Sequence, residues 1–253
     1  MATTLFDNGS HKNIWLEELD LGHAVQANQH MIVHGQEALL LDPGGPKTFR
    51  HAFPEALSLL KSAKLTRIFL SHQDPDIVAA LNPWLTSTNA VAYASKLWMR
   101  FIPHFGLDRV MMESCHEIPD EGGVIDLDGC ELLILPAHYL HSAGNFHVYD
   151  PISKILYSGD LGASLGEDYA FVSDFDAHLQ YMEGFHRRYM TNKKAMSTWA
   201  ALARQLDVDV IAPQHGAAFR GKDQVARFID WVDGFECGTD VLAPYVLPTN
   251  PLP

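Results

Sequence analysis

Two spacings of apolar residues alternate along this chain. Over residues 47–63, Phe49, Phe53, Leu57 and Leu60 recur at three- and four-residue steps, the stripe of an amphipathic helix. Residues 13–19, 29–34 and 37–41 are instead short apolar or alternating runs, separated by Gly22, Gly35 and the turn Asp42-Pro43-Gly44-Gly45-Pro46, and these predict strands. Residues 66–70 predict another strand. A helical pattern follows over 76–85, with Asp76 suited to its N-terminus, where a carboxylate meets exposed backbone N–H groups.

The second part repeats this rhythm. Residues 91–94 predict a short strand and 95–105 a helix starting at Ser95 and ending near Gly106. Brief strands are expected at 115–118, 124–127, 131–135, 145–149 and 154–157, a helical hairpin over 177–189 and 192–206, a strand at 208–212 and a last helix at 223–232. From Gly238 a Gly- and Pro-containing tail is expected to lie loosely on the surface. Strands followed by helices occur once in about 14–94 and again in about 115–232, which predicts a single domain over 1–253 made of two stacked α/β halves.

Composition narrows the function. A 253-residue chain that is 47% hydrophobic and 19% charged builds a sizeable core. Its net charge of -13 argues against nucleic acid, which is held by clustered Lys and Arg. Three cysteines, Cys115, Cys130 and Cys237, have neither disulfide-framework nor Cys-x-x-Cys spacing. With no leader-like N-terminus and no apolar stretch of about 18 residues, a cytoplasmic protein outside the membrane is expected.

The 14 histidines direct attention to a few loops. His72, Asp74 and Asp76 stand at alternate positions just after the 66–70 strand, and His141, Asp160 and His215 each follow a later apolar strand. Pro75 restrains the first loop and pushes Asp74 toward extended backbone. Singly, these residues have ordinary readings: Asp76 as a helix cap, Asp74 and Asp160 as turn carboxylates, the histidines as structural loop residues. Together, six imidazoles and carboxylates on four loops point to a two-metal site. The carboxylates are hard anionic donors and favour iron or manganese over zinc. With Asp74, Asp76 and Asp160 all ligating, the site carries a charge of about +1 with two ferrous and about +3 with two ferric ions; the third carboxylate thereby eases oxidation.

These positions resemble the metallo-β-lactamase superfamily, whose motifs are His-x-His-x-Asp-His, then a His, a bridging Asp and a final His. An acidic residue in place of the second His resembles the flavodiiron proteins, and Asp74 takes that place here. The segment Pro136 to Phe146, Asp150-Pro151, Ser158-Gly159-Asp160 and Asn28-Gln29 ahead of Leu41-Asp42-Pro43-Gly44-Gly45 are similar to stand-alone oxygen-binding diiron proteins, which are related to the oxygen-reducing flavodiiron domain but lack its flavodoxin partner.

The resemblance implies a four-layer αββα sandwich, two mixed β-sheets flanked by helices. It implies that His72, Asp74 and His141 hold one iron, Asp76 and His215 the other, and that Asp160 bridges them. Manganese and zinc are the alternative ions. Ile77 stands where the family pattern has His, which leaves the second iron short of one donor. His138, three residues before His141, is a candidate to reach the metals or to hydrogen-bond a ligand, and Tyr189 is a candidate to line the pocket; His147 is expected on a solvent or packing face. The implied function is dioxygen binding at a nonheme diiron pair, as an oxygen or redox sensor or as a reductase. Electrons or a signal would then pass through a separate protein, and a homo-oligomer is compatible. The other reading is a metal-dependent hydrolase of an ester, thioester or lactone, against which Asp74 and Ile77 argue, since both positions normally carry His in hydrolytic families.

Overall fold

The computed structural model describes residues 2–16, 26–107 and 112–249. Among them, fourteen strands form two seven-stranded sheets, each in sequence order or close to it. The first holds β1 (Thr3–Asp7), β2 (His11–Leu16), β3 (Gln29–His34), β4 (Glu37–Leu41), β5 (Lys64–Phe69), β6 (Val91–Ser95) and β7 (Cys115–Ile118). The second holds β8 (Gly123–Leu127), β9 (Cys130–Pro136), β10 (Phe146–Asp150), β11 (Ile155–Tyr157), β12 (Phe171–Val172), β13 (Val210–Ala212) and β14 (Ala218–Arg220). Both sheets are mixed: β4, β5, β6 and β7 run parallel, as do β11 with β13 and β12 with β14, while the remaining paired strands are antiparallel.

Three hydrophobic clusters show the layering. Successive side chains of a strand point to opposite faces. Thus Ala38 and Leu40 of β4 and Ile68 of β5 pack outward with Ala52, Ala56 and Leu60 of helix α1 (Pro46–Leu60) and with Trp84. Leu39, Leu41 and Phe69 pack inward against Leu132, Ile134, Phe146 and Val148 of the second sheet. The outer face of that sheet is covered by α4 (Phe175–Tyr189), α5 (Lys193–Ala203) and α6 (Lys222–Gly234), through Met182, Trp199 and Phe228. Helix, sheet, sheet, helix is the four-layer αββα sandwich of the metallo-β-lactamase type.

Several elements depart from expectation for identifiable reasons. The helix expected over 76–85 is two pieces, α2 (Pro75–Val78) and α3 (Leu81–Ser87). Pro83 would clash with the Ala79 carbonyl in a continuous helix, and the break falls at residues 79–80. The helix expected over 95–105 is a series of turns ending in a 3₁₀ helix, Ile102–Phe105, and Pro103 supplies the same obstacle. Cys115–Ile118, expected to open the second half, closes the first sheet by pairing with β6. The first residues of the expected loose tail are held: Thr239 N donates to Thr191 O at 2.9 Å, and only residues 242–249 run on without regular structure. Residues 17–19 of the first expected strand and Gly22 lie outside the described residues. No helix among the described residues is long and apolar enough to cross a membrane.

Candidate metal centre

Every candidate ligand sits at one end of the two sheets. The register aligns Gln29, Leu41 and Phe69 at that end of the first sheet, and Pro136, Phe146, Tyr157 and Ala212 at the matching end of the second. β5 therefore delivers His72, Asp74 and Asp76, the β9–β10 loop His141, the turn after β11 Asp160, and the turn after β13 His215.

The structure brings all six together. Asp74 Oδ2 lies 2.9 Å from His141 Nε2 and 3.8 Å from His72 Nε2. Asp160 stands between two groups. Its Oδ2 is 3.6 Å from His141 Nε2 and 3.8 Å from His72 Nε2, whereas its Oδ1 is 3.4 Å from His215 Nε2. Asp76 Oδ2 is 3.4 Å from the same His215 nitrogen. One carboxylate thus faces His72, His141 and Asp74 with one oxygen and the His215–Asp76 pair with the other.

Local structure explains the aim of each side chain. Asp74 precedes Pro75 and is extended (φ -66, ψ 152). It occupies the N-cap position of α2, yet its side chain makes no cap hydrogen bond and goes to His141 instead. The 139–141 turn is left-handed at Tyr139 (φ 67) and at His141 (φ 72), a conformation held by Tyr139 N donating to Ser142 O at 2.8 Å. His72 Nδ1 meets Ser71 Oγ at 2.9 Å, and His215 Nδ1 donates to the Gln26 carbonyl, so both rings turn Nε2 into the cluster. Ser71 N in turn donates to Asp42 Oδ1 at 2.8 Å. The Gly216 N–H donates to Gln26 Oε1 at 2.8 Å, which ties down the far side of His215.

Electrostatics at the cluster is what closely packed anions and imidazoles produce. Burial works against charge on His215, but Asp160, the Gln26 carbonyl and Asp76 outweigh it and carry its pKa up to about 9. Burial likewise opposes the Asp160 carboxylate, yet His72, His215 and His141 hold it well below the usual range. Asp76 moves up, through burial and the nearby Asp160. Asp42, fully enclosed behind the cluster, is pushed up to about 7 by burial, with Asp160 and Asp76 adding to the shift.

The donor set fits a cation pair. Asp160 Oδ1 is buried and has no properly aligned hydrogen-bond donor, although His215 Nε2 is near. A buried carboxylate oxygen without a donor is costly, and a cation between it, His215 and Asp76 would satisfy all three. His72, His141 and Asp160 each present a ligand atom within 4.8 Å of the others.

Other expected residues divide. The Tyr189 ring lies 5.4 Å from that of His141 and is half exposed, at the rim of the cluster. His138 does not join the ligands. Its Nε2 meets the Asp120 carbonyl at 2.8 Å, and its ring lies against Phe146. The left-handed turn at Tyr139 separates it from His141, and it lines a neighbouring cavity of about 710 Å³ with Tyr139 and Trp199. His147 is on a packing face, its Nδ1 accepting from Trp199 Nε1 at 2.9 Å. Ser71 and Gln26 had no motif to mark them, and Asp42 was marked only as part of the Leu41-Asp42-Pro43-Gly44-Gly45 segment. Gln73 had only its place between ligands, yet it accepts from Ser142 Oγ at 2.5 Å and donates to Asp74 Oδ1 at 2.9 Å, linking the two ligand loops.

A family model described as "ODP family beta lactamase" matches residues 25–216. The chain belongs to the ODP family. Among solved structures, a peroxy diiron species of the chemotaxis sensor ODP is 40% identical, covering 95% of this chain and 97% of that one with a TM-score of 0.82. The apo state of chemotaxis sensor ODP from T. denticola is 39% identical over the same shares, with a TM-score of 0.83. The rubredoxin oxygen:oxidoreductase from the anaerobe Desulfovibrio gigas is 15% identical and matches 92% of this chain to 61% of its own, with a TM-score of 0.76, a likeness of fold. No curated protein matches in sequence. An ODP family member sharing fold and length with a diiron sensor agrees with the resemblance carried by the ligand loops.

Proposed function

We propose that this protein is a nonheme diiron protein that binds dioxygen and serves as an oxygen or redox sensor. The observation that carries this is Asp160, whose two oxygens face two separate sets of donors. His72, Asp74 and His141 would hold one iron, and His215 with Asp76 the other. When bound, such an iron pair supplies redox chemistry toward dioxygen. The protein's own groups set its conditions: Ser71 and the Gln26 carbonyl fix which imidazole nitrogen is offered, and Tyr189 and Phe185, stacked at 4.7 Å, wall the open side beside His141.

The sensor role is favoured over reduction by 40% identity to a chemotaxis sensor across 95% of the chain. Hydrolysis is disfavoured by chemistry, because Asp74 and Ile77 replace the histidines that hydrolytic dizinc sites use. A signalling partner, or an electron donor if the centre turns over, is a separate protein in this reading.

Anaerobic purification with iron, a metal count and absorption spectra before and after air provide the test. Two irons per chain with a new near-ultraviolet or visible band on oxygenation are expected. Two tightly held zincs with esterase or lactonase turnover and no response to oxygen would overturn the proposal.

A further inference from the structure

At the opposite end of the sandwich the two sheets share a second cluster. His11 opens β2 and His34 ends β3, paired in register with it. Cys130 opens β9, and Asp150 ends β10. His11 Nδ1 and His34 Nδ1 face one another at 3.0 Å, and with Cys130 Sγ they form a set of ligand atoms within 4.8 Å of one another. His11 and Cys130 are buried, while His34 is half-buried and gives access from solvent.

We propose that His11, His34 and Cys130 form a second metal site, distinct from the His/Asp centre, that takes zinc(II). Two imidazoles and one thiolate are a borderline-soft donor set of the kind zinc prefers, unlike the carboxylate-rich centre at the other end. Zinc bonds of ~2.0–2.3 Å in a tetrahedron place neighbouring donors about 3.3–3.6 Å apart; the two imidazole nitrogens already stand near that spacing. The fourth position falls to water on the His34 side.

Asp150 supplies the orientation. Its Oδ2 is 2.6 Å from His11 Nε2 and also accepts from Asn13 Nδ2 at 2.7 Å and Ser153 Oγ at 2.8 Å. His11 Nε2–H therefore donates to Asp150, and its Nδ1 presents a lone pair toward His34. A carboxylate behind a ligating histidine is the recurrent arrangement of metal sites. Charge also balances, since zinc's two positive charges meet the Asp150 carboxylate and the Cys130 thiolate. On binding, the S–H bond breaks, the proton leaves to solvent and a Zn–S bond forms, with no change of oxidation state.

The site joins His11 and His34 of one sheet to Cys130 of the other, so zinc would staple the two sheets and raise the thermal midpoint. The simpler reading is a His–His hydrogen bond beside a core thiol. Titration of iron-loaded protein with cobalt(II) separates the two, because none of the residues of the iron centre is a thiolate. A near-ultraviolet thiolate-to-cobalt band saturating at one cobalt per chain and removed by zinc, with iron content unchanged, is the expected result. The band should vanish in Cys130→Ser, and affinity should fall about 10- to 100-fold in Asp150→Asn. His34→Ala, at a half-exposed position, should weaken binding at least tenfold and decides the matter if Cys130→Ser does not fold. No thiolate band at stoichiometric cobalt, or a band unchanged in His34→Ala, would overturn the proposal.

Discussion

Asp74 Oδ2 stands 2.9 Å from His141 Nε2, although 67 residues of chain separate them. The contact makes Asp74 part of the ligand cluster rather than a helix cap, and it places a third negative charge at the centre. Replacing it by histidine removes that charge from a partly buried position. Because a unit charge at about 4 Å is worth up to ~4 kcal/mol at an effective dielectric near 20, the oxidised pair loses more than the reduced one. Asp74→His is expected to raise the midpoint potential and slow oxidation by air at least about tenfold, read by stopped-flow absorbance on the ferrous protein. An unchanged rate would refute the charge argument.

Asp160 faces both sets of donors, so its removal should affect both metals. Asp160→Ala is expected to lose both irons, counted per chain after desalting. Retention of two irons would show that the carboxylate does not bridge.

Ile77 is fully buried and packs with the first sheet's outer core. A histidine there adds a donor beside Asp76 while removing an apolar side chain, a change that costs about 1–3 kcal/mol in a packed core. Ile77→His is expected to hold the second iron longer against a chelator and to lower the unfolding midpoint. A lower midpoint with no gain in iron retention would mean that the position serves packing alone.

His186 is fully buried, donating from Nδ1 to Met182 O at 2.8 Å and accepting at Nε2 from Gly162 N at 2.9 Å. Burial lowers its pKa from 6.5 to about 4. Between those values the unfolded chain binds more protons than the folded one, so stability rises with pH across this window and is lost as pH falls through it. A shift of this size corresponds to roughly 3 kcal/mol, present in full above the unfolded pKa. Urea midpoints at pH 7.5 and 4.5 should therefore differ less in His186→Gln than in the native protein. Equal pH dependence in the two would exclude the histidine as a source of acid lability.

The ligands were legible because each lies in the segment that follows an apolar strand, with a Gly or Pro within three residues, a local pattern that needs no tertiary information. Helix α1 and strands β3 and β4 were legible for the same reason, since their periodicity reports which face is buried. Strands β1 and β14 were not. Five- and three-residue segments such as Thr3–Asp7 and Ala218–Arg220 become strands only when a neighbour accepts their hydrogen bonds. Over 95–105 the apolar stripe misled, because Pro103 overrides periodicity by steric clash.

By itself, the sequence determined two stacked α/β halves, the six candidate ligands and the hard, anionic character of their centre, because periodicity, donor types and carboxylate number are properties of residues in order; the αββα layering was implied by the family resemblance. Only the tertiary structure decided that Asp160 faces two donor sets, that His138 turns to Asp120 while Tyr189 reaches His141, and that His11, His34 and Cys130 converge at the far end. Those relations depend on how two sheets stack and register, and side chains far apart in sequence acquire a distance only when the chain has folded around them.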